Sequence, residues 1–265
     1  MKRYLDLFLI YFQDALTDFG RLVAWMLLPI INGGFFLIFW FAAFQGDRPP
    51  INGWDRDSLV TYYLLLMFVS VLLSSHIEDF LEREIKLGGI AKHLLKPFSL
   101  YLSMTFFELP YRMLQGGIGI LFYVIVAFIY PLARIPMPDF LSGVLILCIF
   151  ISGFFISHTM KMIFGLISFW TKESKGYHDL STVLILFFAG YNLPLTLLPD
   201  SVASIATALP FAYMLYYPVV ALQGQLSEAD LLLVLATSLG WVTFLGITYG
   251  IVLRRGLRVF SGVGQ

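Results

Sequence analysis

The chain reads as an all-α polytopic membrane protein, and three observations carry that reading. Of its 265 residues 59% are hydrophobic and only 13% charged, with a mean hydropathy of +0.83; a soluble domain carries about 25% charged residues. The apolar residues gather in uncharged runs of the ~20 residues that a helix needs to cross a ~30 Å hydrocarbon core. None of these runs alternates with the period of two of a barrel strand, so the backbone must satisfy itself within helices. Soluble globular folds and disulfide scaffolds are excluded. Seventeen basic residues balance seventeen acidic ones, which leaves no basic excess for nucleic acid. Cys148, alone in an apolar run, has no partner for a disulfide or a zinc site.

The chain starts with an expected amphipathic helix at the membrane surface, residues 1–20. Leu5, Phe8, Phe12, Leu16 and Phe19 recur at helical spacing, with Asp6, Gln13, Asp14, Thr17 and Asp18 largely on the other face. The acids break any signal-peptide core; the plainer alternative is a polar-edged extension of the first span. Uncharged stretches follow at 22–45, 58–75, 113–133, 140–157, 180–199, 201–227 and 231–253. Pro210 and Pro218 interrupt the sixth of them, and Asp200 alone separates it from the fifth. It is therefore read as an extracellular re-entrant or interfacial hairpin, residues 199–227, after span five, which leaves six transmembrane helices.

Charge supports that count. With six spans one side receives Lys2, Arg3, Arg21, Arg83, Lys86, Lys92, Lys96, Arg112, Lys161, Lys172, Lys175, Arg254, Arg255 and Arg258. The other receives Arg48, Arg56 and Arg134. Basic residues mark the cytoplasmic side, so both termini are expected there; seven spans would put the last three arginines outside.

The longest polar segment, 76–112, lies on that basic side. Ile77, Phe80, Leu81, Ile85 and Leu87 recur at helical spacing among Glu78, Asp79, Glu82, Arg83, Glu84 and Lys86, which predicts an amphipathic helix. Gly88-Gly89 should stop it with a left-handed cap. A second short helix over 90–95 then meets Pro97. Such a segment suits docking to a soluble partner, or is a solvated loop.

Its residues Glu82-Arg83-Glu84-Ile85-Lys86-Leu87-Gly88-Gly89-Ile90, followed by Leu94-Leu95-Lys96-Pro97-Phe98-Ser99, resemble the cytoplasmic coupling segment of type-two ABC exporter permeases. The likeness continues in Asn192-Leu193-Pro194-Leu195, Leu198-Pro199-Asp200, Leu209-Pro210-Phe211 and Tyr216-Tyr217-Pro218, similar to that family's re-entrant hairpin. It is closest to a bacterial branch of uncharacterised and drug- or viologen-type exporter permeases, and covers most of 1–265 as one permease domain. The resemblance implies a bacterial inner-membrane protein powered by a separate ABC ATPase subunit that binds the ATP and Mg. This chain has no G-x-x-x-x-G-K-[ST] loop to hold phosphates, so no cofactor is expected in it. It also implies a second permease copy, or a homologue, as partner. Glu82, Arg83, Glu84, Ile85 and Lys86 would then form the coupling helix that seats in the ATPase.

Other residues stand out singly. Glu108 and Arg112, four apart around Pro110, are either an ion pair anchoring a helix end or a gate at the inner mouth of a pathway. His158 and Lys161 share a face of the fourth span, with Lys161 reaching towards headgroups or the pair touching substrate. Lys172, Glu173, Lys175 and His178 are a second ATPase contact or an ordinary basic loop. Asn192, Pro210 and Tyr217 belong to the hairpin, a candidate exit gate or a static plug. The four histidines are scattered, so no metal site is expected, and no nucleophile–base set is visible, so the chain is not an enzyme by itself. With few intramembrane charges, the expected cargo is amphiphilic or lipophilic. The rival classes are an ion-coupled secondary carrier, which would need mid-membrane carboxylates, and a membrane anchor that recruits a soluble factor.

Overall fold

A computed structural model describes residues 2–44, 49–131, 134–171 and 175–260, without the side chains of residues 2, 3, 19, 21, 28 and 175. Arg48, Lys172 and Glu173, and the side chains of Lys2, Arg3, Arg21 and Lys175, therefore lie outside the described residues. Those described are helical throughout, with one isolated bridge between Ile51 and Trp54.

Helix α1 (Lys2–Thr17) is amphipathic in two directions. Leu7 and Ala15 are buried and the Tyr11 ring meets Phe107 at 5.5 Å, while Leu5, Leu9 and Leu16 stay exposed. The expected helix forms here, and the stripe at 7, 11 and 15 rather than 8 and 12 turns inward. Asp18 bends the chain into α2 (Phe19–Ala43), which contains Pro29. A turn through Asn52 and Gly53, both at positive φ, leads to α3 (Arg56–Leu73). Asp55 caps α3, accepting from Ser58 N at 2.8 Å. The Ser58 bond holds the Asp55 carboxyl below its ordinary value.

The chain breaks at Ser74 and restarts as α4 (Ile77–Lys86), then α5 (Ile90–Leu94). Gly88, at φ +72°, supplies the expected left-handed stop. Ser99 caps α6 (Leu100–Ile129). The third long helix thus starts thirteen residues before the expected 113, because Glu108 and Arg112 neutralise each other inside it. Asp139 caps α7 (Phe140–Leu166), continued by a 3-10 turn to Phe169, well beyond the uncharged run 140–157.

The expected fifth span, 180–199, differs most. Helix α8 (Lys175–Phe188) has 14 residues, about 21 Å at 1.5 Å each, short of a full crossing. Gly190, at φ +75°, ends it. Tyr62 OH donates to Gly190 O and Tyr63 OH to Asn192 O, both at 2.6 Å, so the freed carbonyls stay satisfied. Among the described residues five helices are long and apolar enough to cross a membrane, where six spans were expected: 22–43 in α2, α3 with α4, α6, α7 and α12 (Glu228–Val259).

Between α8 and α12 the chain folds into α9 (Asp200–Ala208), α10 (Pro210–Met214) and α11 (Tyr216–Leu222). Pro210 at N1 opens α10, as its missing N–H allows. All five α10 residues are buried. Gly153 of α7 permits this: a Cβ there would lie 2.9 Å from Tyr213 O.

Contacts sort the bundle into two ends. At one, His178 of α8 meets Asp79 of α4, and Phe260 after α12 meets Phe169. At the other, Trp54 Nε1 donates to Thr196 Oγ1 at 2.8 Å, and Gly224 abuts Pro136. Residues 178–196 therefore pass from one end to the other, although α8 alone is short. The side chains of Arg83, Lys86, Lys92, Lys96, Arg254, Arg255 and Arg258 fall at the first end; Arg56 and Arg134 fall at the second.

Candidate functional site: a polar joint beside an amphiphilic cavity

Where α3 gives way to α4, two backbone amides lose their helical acceptors and find side chains instead. Ser75 N donates to Ser157 Oγ, and His76 N to Glu108 Oε1, both at 3.0 Å. That Glu108 oxygen also accepts from Arg112 Nε at 2.9 Å. Arg112 Nη1 donates to Val71 O at 3.2 Å and to Gln115 Oε1 at 3.0 Å, and Gln115 Nε2 donates to Leu22 O. One buried ion pair thus ties α2, α3, the start of α4 and α6. Glu108 is 4% exposed and Arg112 6%, and in an apolar bundle such a pair depends on the further hydrogen bonds that His76 N, Val71 O and Gln115 supply.

His158 belongs to the same joint. Its Nδ1 lies 3.3 Å from Ser75 Oγ and its Nε2 3.1 Å from Thr105 Oγ1, and its ring stacks on Phe154. Lys161, one turn on, does not reach outward. Its Nζ pairs with Glu78 Oε1 at 2.5 Å and lies 3.4 Å from Ser181 Oγ of α8. The structure therefore brings together Glu108, Arg112, His158 and Lys161, four residues spread over fifty positions of sequence. Glu78 and Ser75 complete the group, and no local signal marks either.

The expected coupling residues divide. Ile85 is 5% exposed and packs inward with Ile77 and Leu81, so it seats the helix and presents nothing outward. Glu82 pairs with Lys86 at 2.5 Å, and Glu84 with Lys92 at 2.7 Å. Arg83 is exposed, over the Phe80 ring. Beside it Leu87 is 73% and Leu95 87% exposed, an apolar tip among bases. Buried His93 has its imidazole pushed below its ordinary value, first by desolvation and then by Lys96.

A cavity of about 890 Å³ opens beside the joint. Its polar end is formed by Glu78, Asp79 and Glu82 of α4, with Arg112, Lys161 and His178. Trp25 of α2 stacks on His76 at the joint, and the apolar end is formed by Phe35 of α2, Ile185 and Leu186 of α8, Tyr191, and Met214 and Leu215 at α10. Pro210 and Tyr217 do not line it: Pro210 is buried, and Tyr217 stacks against Tyr213 at 4.7 Å. Asn192 contributes its carbonyl to Tyr63. His178 sits between Asp79 and Glu82, and one ligand atom from each lies within 4.8 Å of the others. That cluster of metal-binding residue types joins positions about a hundred apart, which the scattered histidines gave no reason to expect.

Long apolar helices, a buried polar joint and a two-ended cavity define a helical transport-type membrane protein. A model of the ABC-2 family transporter protein matches residues 30–264, and the chain belongs to that family. It is accordingly an ABC-2 type membrane permease, whose family implies an ABC ATPase partner. Searches of curated proteins and of solved structures return no match.

Proposed function

We propose that this chain is the transmembrane subunit of an ATP-driven exporter that moves an amphiphilic substrate out of the cytoplasm or inner leaflet. One observation carries the reading: α4 is shared between two surfaces. Its inner side supplies Glu78, Asp79 and Glu82 to the cavity, and its outer end carries the exposed Arg83 and Leu87. A partner that grips the tip thereby moves the cavity wall. The ATPase subunit binds ATP and Mg; this chain holds neither and has no catalytic site of its own. Leu87, Leu95, Arg83 and Lys96 seat in the ATPase, and the Glu82–Lys86 and Glu84–Lys92 pairs keep α4 and α5 rigid beneath them.

The cavity's polar and apolar ends suit a molecule with a polar head and an apolar body. The segment 199–227 closes its far end through Met214 and Leu215 and is the re-entrant exit gate. Residues 175–228 complete a sixth crossing, which returns both termini to the cytoplasmic side of a bacterial inner membrane. A second copy, or a homologue, pairs with the chain and closes the cavity laterally.

The test is co-purification with an ABC ATPase subunit from the same cell, followed by ATP hydrolysis in lipid vesicles. The permease should stimulate hydrolysis, and Leu95→Asp or Arg83→Glu should abolish stimulation while the permease stays folded. Unchanged stimulation in both removes the tip as the docking surface, and failure to bind any ATPase removes the exporter reading.

A further inference from the structure

We propose that His178 of α8 and Glu82 of α4 hold a divalent transition-metal ion, of which zinc fits best, with Asp79 positioning the imidazole. His178 Nδ1 lies 2.8 Å from Asp79 Oδ1. A carboxylate only accepts hydrogen bonds, so Nδ1 carries the hydrogen and the neutral ring presents Nε2 as a lone pair. That Nε2 is buried and has no hydrogen-bond partner among the described residues, and it lies 3.3 Å from Glu82 Oε2. Two acceptors thus face each other with no hydrogen between them, a contact that a shared cation turns from repulsive to attractive. Zinc bonds of about 2.0–2.2 Å at a tetrahedral angle set neighbouring ligand atoms about 3.3–3.5 Å apart, which is the separation here. A metal-bound imidazole almost always gives its other N–H to a carboxylate, carbonyl or water, and Asp79 takes that part.

Glu78 supplies a further donor. It stands four residues before Glu82 on the same face of α4 and lines the same polar end of the cavity. Its side chain is 7% exposed; Oε1 pairs with Lys161, and Oε2 is buried with no hydrogen-bond partner among the described residues. Charge favours a cation there too. The carboxylates of Glu78, Asp79, Glu82 and Asp179 meet only the ammonium groups of Lys161 and Lys86, since Arg112 is matched by Glu108. An imidazole nitrogen beside carboxylate oxygens selects zinc-like ions over magnesium and calcium, which take oxygen ligands. Glu78 Oε2 and cavity water complete the shell. With ligands on two helices, the ion clasps α4 to α8. What motion the clasp transmits rests on the exporter reading; the site itself does not.

Zinc alone is the probe. The permease in detergent, in a Cys148→Ser background, with its affinity tag removed and stripped by a chelator, should bind one Zn2+ per chain in a calorimetric titration. His178→Asn, which keeps a donor towards Asp79, should bind none, and nor should Glu82→Gln. Both should keep a metal-free thermal midpoint close to the parent's, and only the parent's midpoint should rise with zinc. Asp79→Asn should still bind one ion, about 10- to 100-fold more weakly. His178→Cys, which puts a thiolate in place of the nitrogen ligand, should retain binding, whereas a ring that only packs or donates a hydrogen bond gains nothing from that change.

Cobalt(II) reads the site in the parent protein without removing a ligand: it should give the visible bands of a four-coordinate ion, and equimolar zinc should abolish them. No zinc binding by the parent, or a His178→Asn variant that binds as tightly, overturns the proposal. Zinc binding by a permease that stimulates no ATPase keeps the site and rejects the exporter reading. Stimulation in a permease that binds no zinc does the reverse.

Discussion

Glu108 and Arg112 are legible in the sequence as a helical i, i+4 pair, yet their spacing cannot tell a rim anchor from a buried joint. The difference lies in partners about thirty to ninety positions away: Val71 O, His76 N and, through Gln115, Leu22 O. Breaking a buried pair from one side costs about 3–5 kcal/mol, whereas an apolar replacement of both is often near neutral. Glu108→Gln should therefore lower the thermal midpoint strongly, and Glu108→Gln with Arg112→Met should recover much of it. Equal midpoints for native and Glu108→Gln would mean that water reaches the pair. His93 makes a pH prediction. Its imidazole is held low in the fold by burial, so the unfolded chain binds the proton first, near pH 6.5. The stability it contributes is present above about pH 6.5 and is lost as pH falls towards the folded value. The thermal midpoint should drop on acidification, and His93→Phe should drop less; parallel curves would exclude the histidine as the cause.

Helix α7 packs on both α10 and α4, and glycines make both links. At Gly153 a Cβ would stand 2.9 Å from the Tyr213 carbonyl, and at Gly165 it would stand 3.0 Å from Leu81 Cβ and 3.1 Å from Glu78 O. The twelve helical steps from one to the other span about 18 Å. Gly165→Val should unseat α4, seen as faster proteolysis within 87–96, while Gly153→Val should displace α10 and leave that segment protected. Equal cleavage in both variants would refute the separate roles. Pro210→Ala and Tyr217→Ala, both clear of the cavity lining, should slow export without weakening substrate binding if 199–227 is a gate. Full export in both would make it a plug. The helices, their glycine stops and the proline breaks are readable from local pattern. The start of α6 is not, because a neutralised pair reads as surface charge, and neither is the short α8, whose end is secured by Tyr62 and Tyr63 from another helix.

At the scale of the whole molecule, the apolar runs and the sorting of bases carry the membrane reading unaided. The cavity was not legible: its lining comes from α2, α3, α4, α6, α7, α8 and α10, and only packing unites them. Crossing number gives the prediction proper to this scale. In a Cys148→Ser background, Leu95→Cys should react with an impermeant maleimide only from the cytoplasmic side and Thr196→Cys only from outside. Reaction of both from one side would defeat the six-crossing arrangement.

Helix α3 brings a consequence for how the protein is made. Its apolar window is 78% buried within the chain, against 18–39% for the other four long helices. During synthesis it enters the bilayer second, before α6, α7 and the 210–222 segment that will surround it exist. Until residues 190–192 arrive, the hydroxyls of Tyr62 and Tyr63 have no carbonyl to bind, and an unsatisfied hydroxyl in hydrocarbon is costly. A nascent chain halted before residue 190 is thus an orphan with its central helix facing lipid, the form that membrane quality control removes.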